Sequence, residues 1–272
     1  MTAPTFVKRP TRDQLIVLAS IAGILALAWL YLVETARDMT EMAEMLDMMP
    51  EMASMPDMGM MMTPQTAFGA AQLVLNATMW TVMMLGMMLP SAVPLILLFA
   101  TVQRRQQTNT PLLRTAIFVA GYLVVWSGFA VAATATQASL AKAALIGNDL
   151  SLVNTLLAGA LFIAAGAYEW SPLKRRCLAH CQSPMAFVMG HWRPGTRGAL
   201  RMGVEHGVYC LGCCWILMLL LLAVGVMNLL WVAALTVLVL LQKLVPGRVL
   251  SAATGTAMVA FGLFLIGQAL AP

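Results

Sequence analysis

Charge is what this sequence has least of. Only 10% of its 272 residues are Asp, Glu, Lys or Arg, and 61% are hydrophobic, whereas soluble domains carry about 25% charged residues. That scarcity excludes a water-soluble globular fold, and no stretch is polar enough to make a separate soluble domain. Cysteine is also sparse. The five copies, Cys177, Cys181, Cys210, Cys213 and Cys214, all fall in the C-terminal half. None lies in a segment expected outside the membrane, which excludes an extracellular disulfide framework. No P-loop, Walker element or D-K-T-G motif is present, which argues against primary active transport by this chain alone. The net charge of +5 does not indicate nucleic-acid binding, because the basic residues sit in short clusters beside apolar segments.

Those apolar segments dominate the chain. They fall at about 14–33, 68–99, 112–138, 152–170, 201–224, 226–242 and 250–270. About 20 apolar residues cross roughly 30 Å of hydrocarbon. The expectation is an all-α, polytopic transmembrane helix bundle of about seven spans, with six also compatible. Residues 1–13 form a basic N-terminus with Lys8, Arg9 and Arg12, and 14–33 reads as a retained first span, too long for a signal-peptide apolar region. Residues 34–67 read as an outer loop and 68–272 as a multi-span domain. Pro90 and Pro94 predict a kink or break in the second span, because proline removes a backbone donor. The stretch 225–228 is the turn between the fifth and sixth spans.

Orientation follows from loop charge. The 34–67 loop holds Glu34, Asp38, Glu41, Glu44, Asp47, Glu51 and Asp57 against one Arg37. The loops near 105, 171–201 and 243–249 carry Arg104, Arg105, Arg114, Lys174, Arg175, Arg176, Arg193, Arg197, Lys243 and Arg248. Basic and non-basic loops alternate, which places the N-terminus in the cytoplasm and the C-terminus outside. The expected location is a cytoplasmic membrane, and the lipid bilayer the first partner.

Methionine is the residue in excess, with 23 copies. The outer loop carries Met39, Met42, Met45, Met48, Met49, Met52, Met55, Met58, Met60, Met61 and Met62, most of them three apart. Thioethers are soft, neutral donors that suit Cu(I), and the interleaved carboxylates concentrate cations. Against this stands an interfacial methionine-rich helix, since methionine fills irregular apolar surfaces. Pro50, Pro56 and Gly59 interrupt such a helix. In the second span Met79, Met83 and Met87 are four apart, as are Met84 and Met88. Helical spacing stacks them about 6 Å apart, as a relay for a soft cation or as ordinary membrane core.

In the fifth span His206, Cys210 and Cys213 or Cys214 share one helix face. Soft donors on one stripe suit low-coordinate Cu(I). Dithiol redox chemistry and small-residue packing beside Gly203, Gly207 and Gly212 are the competing readings. Glu205 and His206 are ionisable groups inside a span. Cys177, His180 and Cys181 place two thiols and an imidazole within five residues of a basic loop, close enough to share one ion, and Glu169 and Glu205 are candidate outer partners of the ligands. His191 reads as a solvated loop histidine.

The segment from Trp80 through Met83, Met84, Met87 and Met88 to Pro90, the Cys177-x-x-His180-Cys181 element and the Cys210-x-x-Cys213-Cys214-Trp215 element together resemble a family of bacterial predicted metal-binding integral membrane proteins (domain of unknown function 2182). The resemblance runs from about residue 70 to the C-terminus and leaves out the methionine-rich loop. It implies a metal-linked role in a bacterial inner membrane. The layout of outer methionines, an M-x-x-x-M helix and inner Cys and His is also similar to the eukaryotic high-affinity copper transporters, by analogy alone. The expected function is Cu(I) handling as permease or metallochaperone, with a copper chaperone or client cuproprotein as partner and no nucleic acid. A membrane thiol oxidoreductase or metal-dependent oxidase using Cys210 and Cys213 is the alternative.

Overall fold

The computed structural model of the chain describes residues 12–48, 69–106, 110–145, 152 and 154–271. Among these residues the secondary structure is helical and no strand occurs. The elements in chain order are α1 (Arg12–Met48), α2 (Ala70–Arg105), α3 (Pro111–Lys142), α4 (Thr155–Glu169), α5 (Pro172–Gln182), α6 (Pro184–His191), α7 (Gly195–Leu219), α8 (Leu221–Val224), α9 (Leu229–Leu244) and α10 (Val249–Leu270). Five of the described helical stretches are long and apolar enough to cross a membrane, and six if α4 and α5 count as one bent span. The sixth apolar segment of the sequence forms the shorter α9.

Three boundaries differ from the sequence expectation. α1 does not stop at 33 but continues as helix to Met48, just before Pro50, so the first methionines of the expected loop lie on its last turns. α2 passes through Pro90 and Pro94 as one 36-residue helix. The carbonyl of Met88, beside the first proline, accepts from Ser91 Oγ at 2.7 Å and from Tyr122 Oη at 3.1 Å, the kind of side-chain support that lets apolar helices tolerate proline. The segment 171–201 is not a loop. Glu169 ends α4, and the chain bends by 63° into α5, where Ser171 Oγ accepts from the Lys174 amide and Pro172 occupies the first turn, a strong helix start. The expected turn at 225–228 is present: Gly225 takes φ +93°, the left-handed region natural to glycine, and Asn228 caps α9 through the Trp231 amide.

Two helix pairs form the frame. α3 and α7 run side by side in the same direction at backbone contact. A Cβ added to Gly121 would lie 2.5 Å from the Leu200 carbonyl oxygen, one on Gly203 would strike the Phe118 backbone, and one on Gly207 would meet Val125. α4 and α10 run antiparallel on Gly159, Gly166, Gly255 and Gly262, each against backbone of the partner helix. Small residues permit this approach, which van der Waals packing rewards where lipid removes the hydrophobic driving force. α3 also packs along α2, and α1 covers the other side of α2. α5 packs against α7, so the bent segment folds onto the bundle. Outward positions such as Leu27, Leu30, Val124, Val131, Leu230, Leu263 and Phe264 are apolar and exposed, a surface far more apolar than soluble proteins leave open.

The bend is held by a buried polar network. Glu169 and Lys174 form an ion pair, both almost fully buried. Gln242 of α9 donates to Glu169 at 3.1 Å and accepts from Lys174 at 2.8 Å. Every charge there is paired and hydrogen-bonded, which burial requires.

The α3–α7 contact is testable with a matched pair on one helix. Gly121→Ala should destabilise by about 1–3 kcal/mol through overpacking. Gly128→Ala, where a Cβ meets nothing within 4 Å, should be neutral or slightly stabilising. Thermal unfolding of the two variants in detergent measures the difference, and equal melting temperatures would remove the contact from the frame.

Candidate metal centre

The α7 stripe of His206, Cys210, Cys213 and Cys214 faces inward and is buried. Register follows from Gly203 and Gly207, which bring the previous turns of α7 onto α3. Tyr122, on the Phe118–Tyr122–Trp126 stripe of α3, then stands with its hydroxyl 3.1 Å from Cys210 Sγ. From α2, Met88 Sδ lies 3.9 Å from Cys214 Sγ. From α5, the Cys181 thiol comes beside Cys210 and Cys213. From the last turn of α9, Lys243 Nζ donates to Cys210 Sγ at 2.9 Å and to Ser91 Oγ at 2.7 Å. Four helices besides α7 therefore converge on one sulfur-rich locus.

The two cysteine motifs that read as separate stations are one locus. Cys177 and Cys181 are one helical turn apart and share the face of α5 turned to α7. The Cys177 sulfur packs over Gly212, where a Cβ would stand 2.7 Å away. His180 leaves this face: its ring stacks on Tyr209, with centroids 4.0 Å apart and planes at 3°. An ion shared by Cys177, His180 and Cys181 is therefore not supported. His206 lies between Tyr122, Phe118 and Phe187, and its buried Nδ1 has no hydrogen-bond partner among the described residues. It lines a cavity of about 200 Å³ with Ser91, Cys181, Gln182, Pro184 and Lys243. A larger cavity of about 400 Å³ adjoins Glu169, Arg175 and Arg248, but it is lined by no sulfur or imidazole.

The locus is not arranged as a finished coordination sphere. Among the described residues no three His, Cys, Asp or Glu side chains form a metal-binding group. The reason is visible in the rotamers. Cys213 and Cys214 both donate back to the Cys210 carbonyl at 3.0 Å, the local bond a side chain makes to its own preceding turn. Rotation about χ1 would turn either sulfur out of that bond. The donor set of thiols and one thioether is soft throughout, matching Cu(I) rather than magnesium or calcium.

Other expected ligands are placed differently. Met79, Met83 and Met87, four apart on α2, are buried with Met84 in the core around Met88. Met42, Met45 and Met48 fall on the last turns of α1, with Met45 exposed. Met52, Met55 and Met58 lie outside the described residues. Glu205 is turned to the basic end of the bundle, where Arg201 Nε is 2.9 Å and Arg193 3.7 Å from its Oε1. Glu169 belongs to the network with Lys174 and Gln242 and not to the sulfurs. His191, expected in solvent, stacks on Phe187 with centroids 4.8 Å apart.

Sequence reasoning missed Tyr122, Ser91 and Lys243. Lys243 counted only as a basic loop residue, yet the signal was there: Val232, Leu235, Val239, Gln242 and Lys243 are the buried residues of α9 and recur at helical spacing, so the inward stripe runs into the lysine.

Residues 77–265 match the PpoB2 family model, described as a copper chaperone. No curated protein and no solved structure matches the chain. The match begins after the methionine-rich segment and includes every cysteine, His206 and Lys243. It agrees with the metal-linked resemblance in being copper-related, under a different family name.

The joining of the two cysteine motifs gives a direct test. A variant with Ser at 177, 213 and 214, keeping Cys181 and Cys210, should close an intramolecular disulfide on mild oxidation. Maleimide–polyethylene glycol tagging after denaturation should then find no free thiol. Two taggable thiols after exhaustive oxidation would place α5 away from α7.

Proposed function

Because the chain belongs to the PpoB2 copper chaperone family, we propose that it is a polytopic membrane protein that holds Cu(I) at the sulfur locus and hands it on. The observation that carries this reading is the convergence of Cys181, Cys210, Cys213, Cys214 and Met88 from three helices. Cu(I) takes two or three soft donors, and the pair of Cys210 with Cys213, joined by Cys181 or Met88, supplies them. Charge favours the same assignment. One Cu(I) on two thiolates carries a net charge of −1, which is costly in an apolar bundle. The Lys243 ammonium, 2.9 Å from Cys210 Sγ, brings the complex to neutrality. Cys181 stands on the bent α5 beside the 200 Å³ cavity, so a passing ion would enter or leave through that side. The methionine-rich segment would capture copper outside.

A second reading is a thiol oxidoreductase, favoured by the contact of Cys181 with Cys210. Anaerobic purification separates the two. Bound copper with reduced thiols supports handling, and a reducible disulfide without metal supports the enzyme.

The ligand assignment predicts that Cys210→Ser/Cys213→Ser abolishes the tightest Cu(I) equivalent in competition with a Cu(I) chelator, since a hydroxyl is a hard donor. Lys243→Met keeps the volume and removes the charge. It should weaken Cu(I) roughly ten- to hundredfold, the equivalent of about 1.5–3 kcal/mol for a charge-assisted hydrogen bond. Leu at every methionine from 39 to 62 should leave that equivalent intact and lower copper delivery only at limiting metal. Wild-type affinity in the Cys210/Cys213 variant would sink the sulfur assignment.

For the topology, we propose seven crossings with the N-terminus inside. The packed helices support it. Asp13 at the start of α1 pairs with Arg104 at the end of α2 at 3.3 Å, and Arg193 and Arg201 gather around Glu205 at the start of α7. In a cysteine-free background, Met55→Cys should react with an impermeant maleimide from outside intact cells. Reaction only from the cytoplasmic side would invert the arrangement.

A further inference from the structure

His180 and His191 flank the sulfur locus, and the reading above gives the pair no role. Both rings are fixed in the same way. His180 Nδ1 lies 2.9 Å from the Arg176 carbonyl oxygen, and His191 Nδ1 lies 3.2 Å from that of Phe187. A carbonyl oxygen only accepts, so Nδ1 carries the hydrogen in both rings. In the neutral ring Nε2 is then left with its lone pair. This is the tautomer found in metal-ligating histidines whose other nitrogen is held by a backbone carbonyl.

The spacing fits one ion. The ring centroids are 6.0 Å apart with planes at 70°. Two imidazoles on one metal, at metal–nitrogen distances of about 2.0 Å, have ring centres roughly 5–6.5 Å apart. Aromatic faces hold both rings: Tyr209 lies flat on His180 and Phe187 on His191. Tyr209 also stands edge-on to His191, with centroids 6.1 Å apart and planes at 73°, so the aromatic rings gather the two imidazoles into one cluster. Both histidines are half-buried, as are Cys177 and Cys181 of the same segment, whereas Cys210, Cys213 and Cys214 of α7 are buried. His180 adjoins Cys181 and Tyr209 adjoins Cys210 in the chain, so the pair borders the locus. Among the described residues no third His, Cys, Asp or Glu joins them. Zinc, which takes four ligands at structural sites, is poorly served, whereas Cu(I) accepts two.

We propose that His180 and His191 form a two-imidazole Cu(I) site, weaker and more accessible than the α7 thiols, where the ion rests during transfer between the sulfur locus and an accepting protein. The identity of the cargo rests on the function proposed above; the pairing of the two imidazoles does not.

The test uses full-length protein in detergent, Cu(I) buffered by bicinchoninate, and X-ray absorption at the copper edge. In Cys210→Ser/Cys213→Ser, one weak equivalent with nitrogen neighbours at about 2.0 Å should remain. Adding either His180→Phe or His191→Phe, which keeps the aromatic stacking, should remove it. A nitrogen-coordinated equivalent that survives both histidine substitutions overturns the site, as does sulfur-only copper of unchanged stoichiometry in wild type and histidine variants. Nitrogen-bound copper without any sulfur-bound copper in the wild type would sink the sulfur reading and leave the imidazole site standing. Should the Phe variants unfold, the unmodified chain decides: Cu(I) protection of His180 and His191 together from diethylpyrocarbonate supports the site, and reaction of both at undiminished rate overturns it.

Discussion

The backbone approach of α3 and α7 sets everything else in place. At Gly121 and Gly203 the two helices meet backbone to backbone, and Gly207 seats the Val125 side chain, which fixes their relative register. That register puts Tyr122 opposite Cys210 and His206. A one-turn slip would move a partner by about 5.4 Å, out of hydrogen-bonding range. α2 and α9 then have fixed targets: the Met88 carbonyl for the Tyr122 hydroxyl, and Cys210 and Ser91 for the Lys243 ammonium. The sulfur locus is thus a consequence of the glycines at the crossing of two helices.

The same apolar interior dictates how charge is handled. Water is scarce inside such a bundle, so each buried charge needs a partner within the protein. Two solutions occur. Glu169 and Lys174 neutralise each other at the α4–α5 bend, with Gln242 satisfying both. Lys243 has no carboxylate beside it in its described contacts and instead faces a thiol and a hydroxyl. The adjacent Gln242 and Lys243 on α9 therefore serve different centres, one a closed ion pair and the other a cation awaiting a negative charge. On the proposed reading that charge is the copper–dithiolate complex.

Much of the architecture was legible in the sequence, because length and hydropathy decide whether an apolar helix forms. The helices, the turn at Gly225 and the burial of the α7 stripe follow from period and composition alone. The meeting of Cys181 with Cys210 and Cys213 did not follow, since basic residues around 171–201 read as a solvated loop. Lys174 is in fact buried on Glu169, and Leu178, Phe187 and Val188 are buried too. Charge counts locate a segment relative to a membrane but do not reveal which lysine has an acid waiting inside. The grouping of Cys177, His180 and Cys181 is placed differently for another reason. Spacing within five residues admits one site in a loop, but in a helix the third and fourth steps diverge enough to lay His180 on Tyr209 while Cys177 packs over Gly212 and Cys181 turns to Cys210 and Cys213.

That divergence gives the bent segment its chemical character. One face of α5 presents thiols to a buried, soft, apolar locus; its edge, continued by α6, presents imidazoles to a half-buried aromatic recess. Thiolate is the stronger and softer donor for Cu(I), and imidazole is borderline. An ion held only by thiols would be retained too tightly to give away, and one held only by imidazoles would be lost before delivery. A chaperone needs both retention and release, and these demands conflict at a single site. On the proposed reading, donor classes on the successive helices α5 and α6, a few residues apart, would meet both without a large movement. On the proposed reading the turned-back sulfurs of Cys213 and Cys214 would act in the same direction, because their bonds to the Cys210 carbonyl would break as the ion arrives and re-form as it leaves, lowering the affinity of the buried locus without changing its selectivity for soft ions.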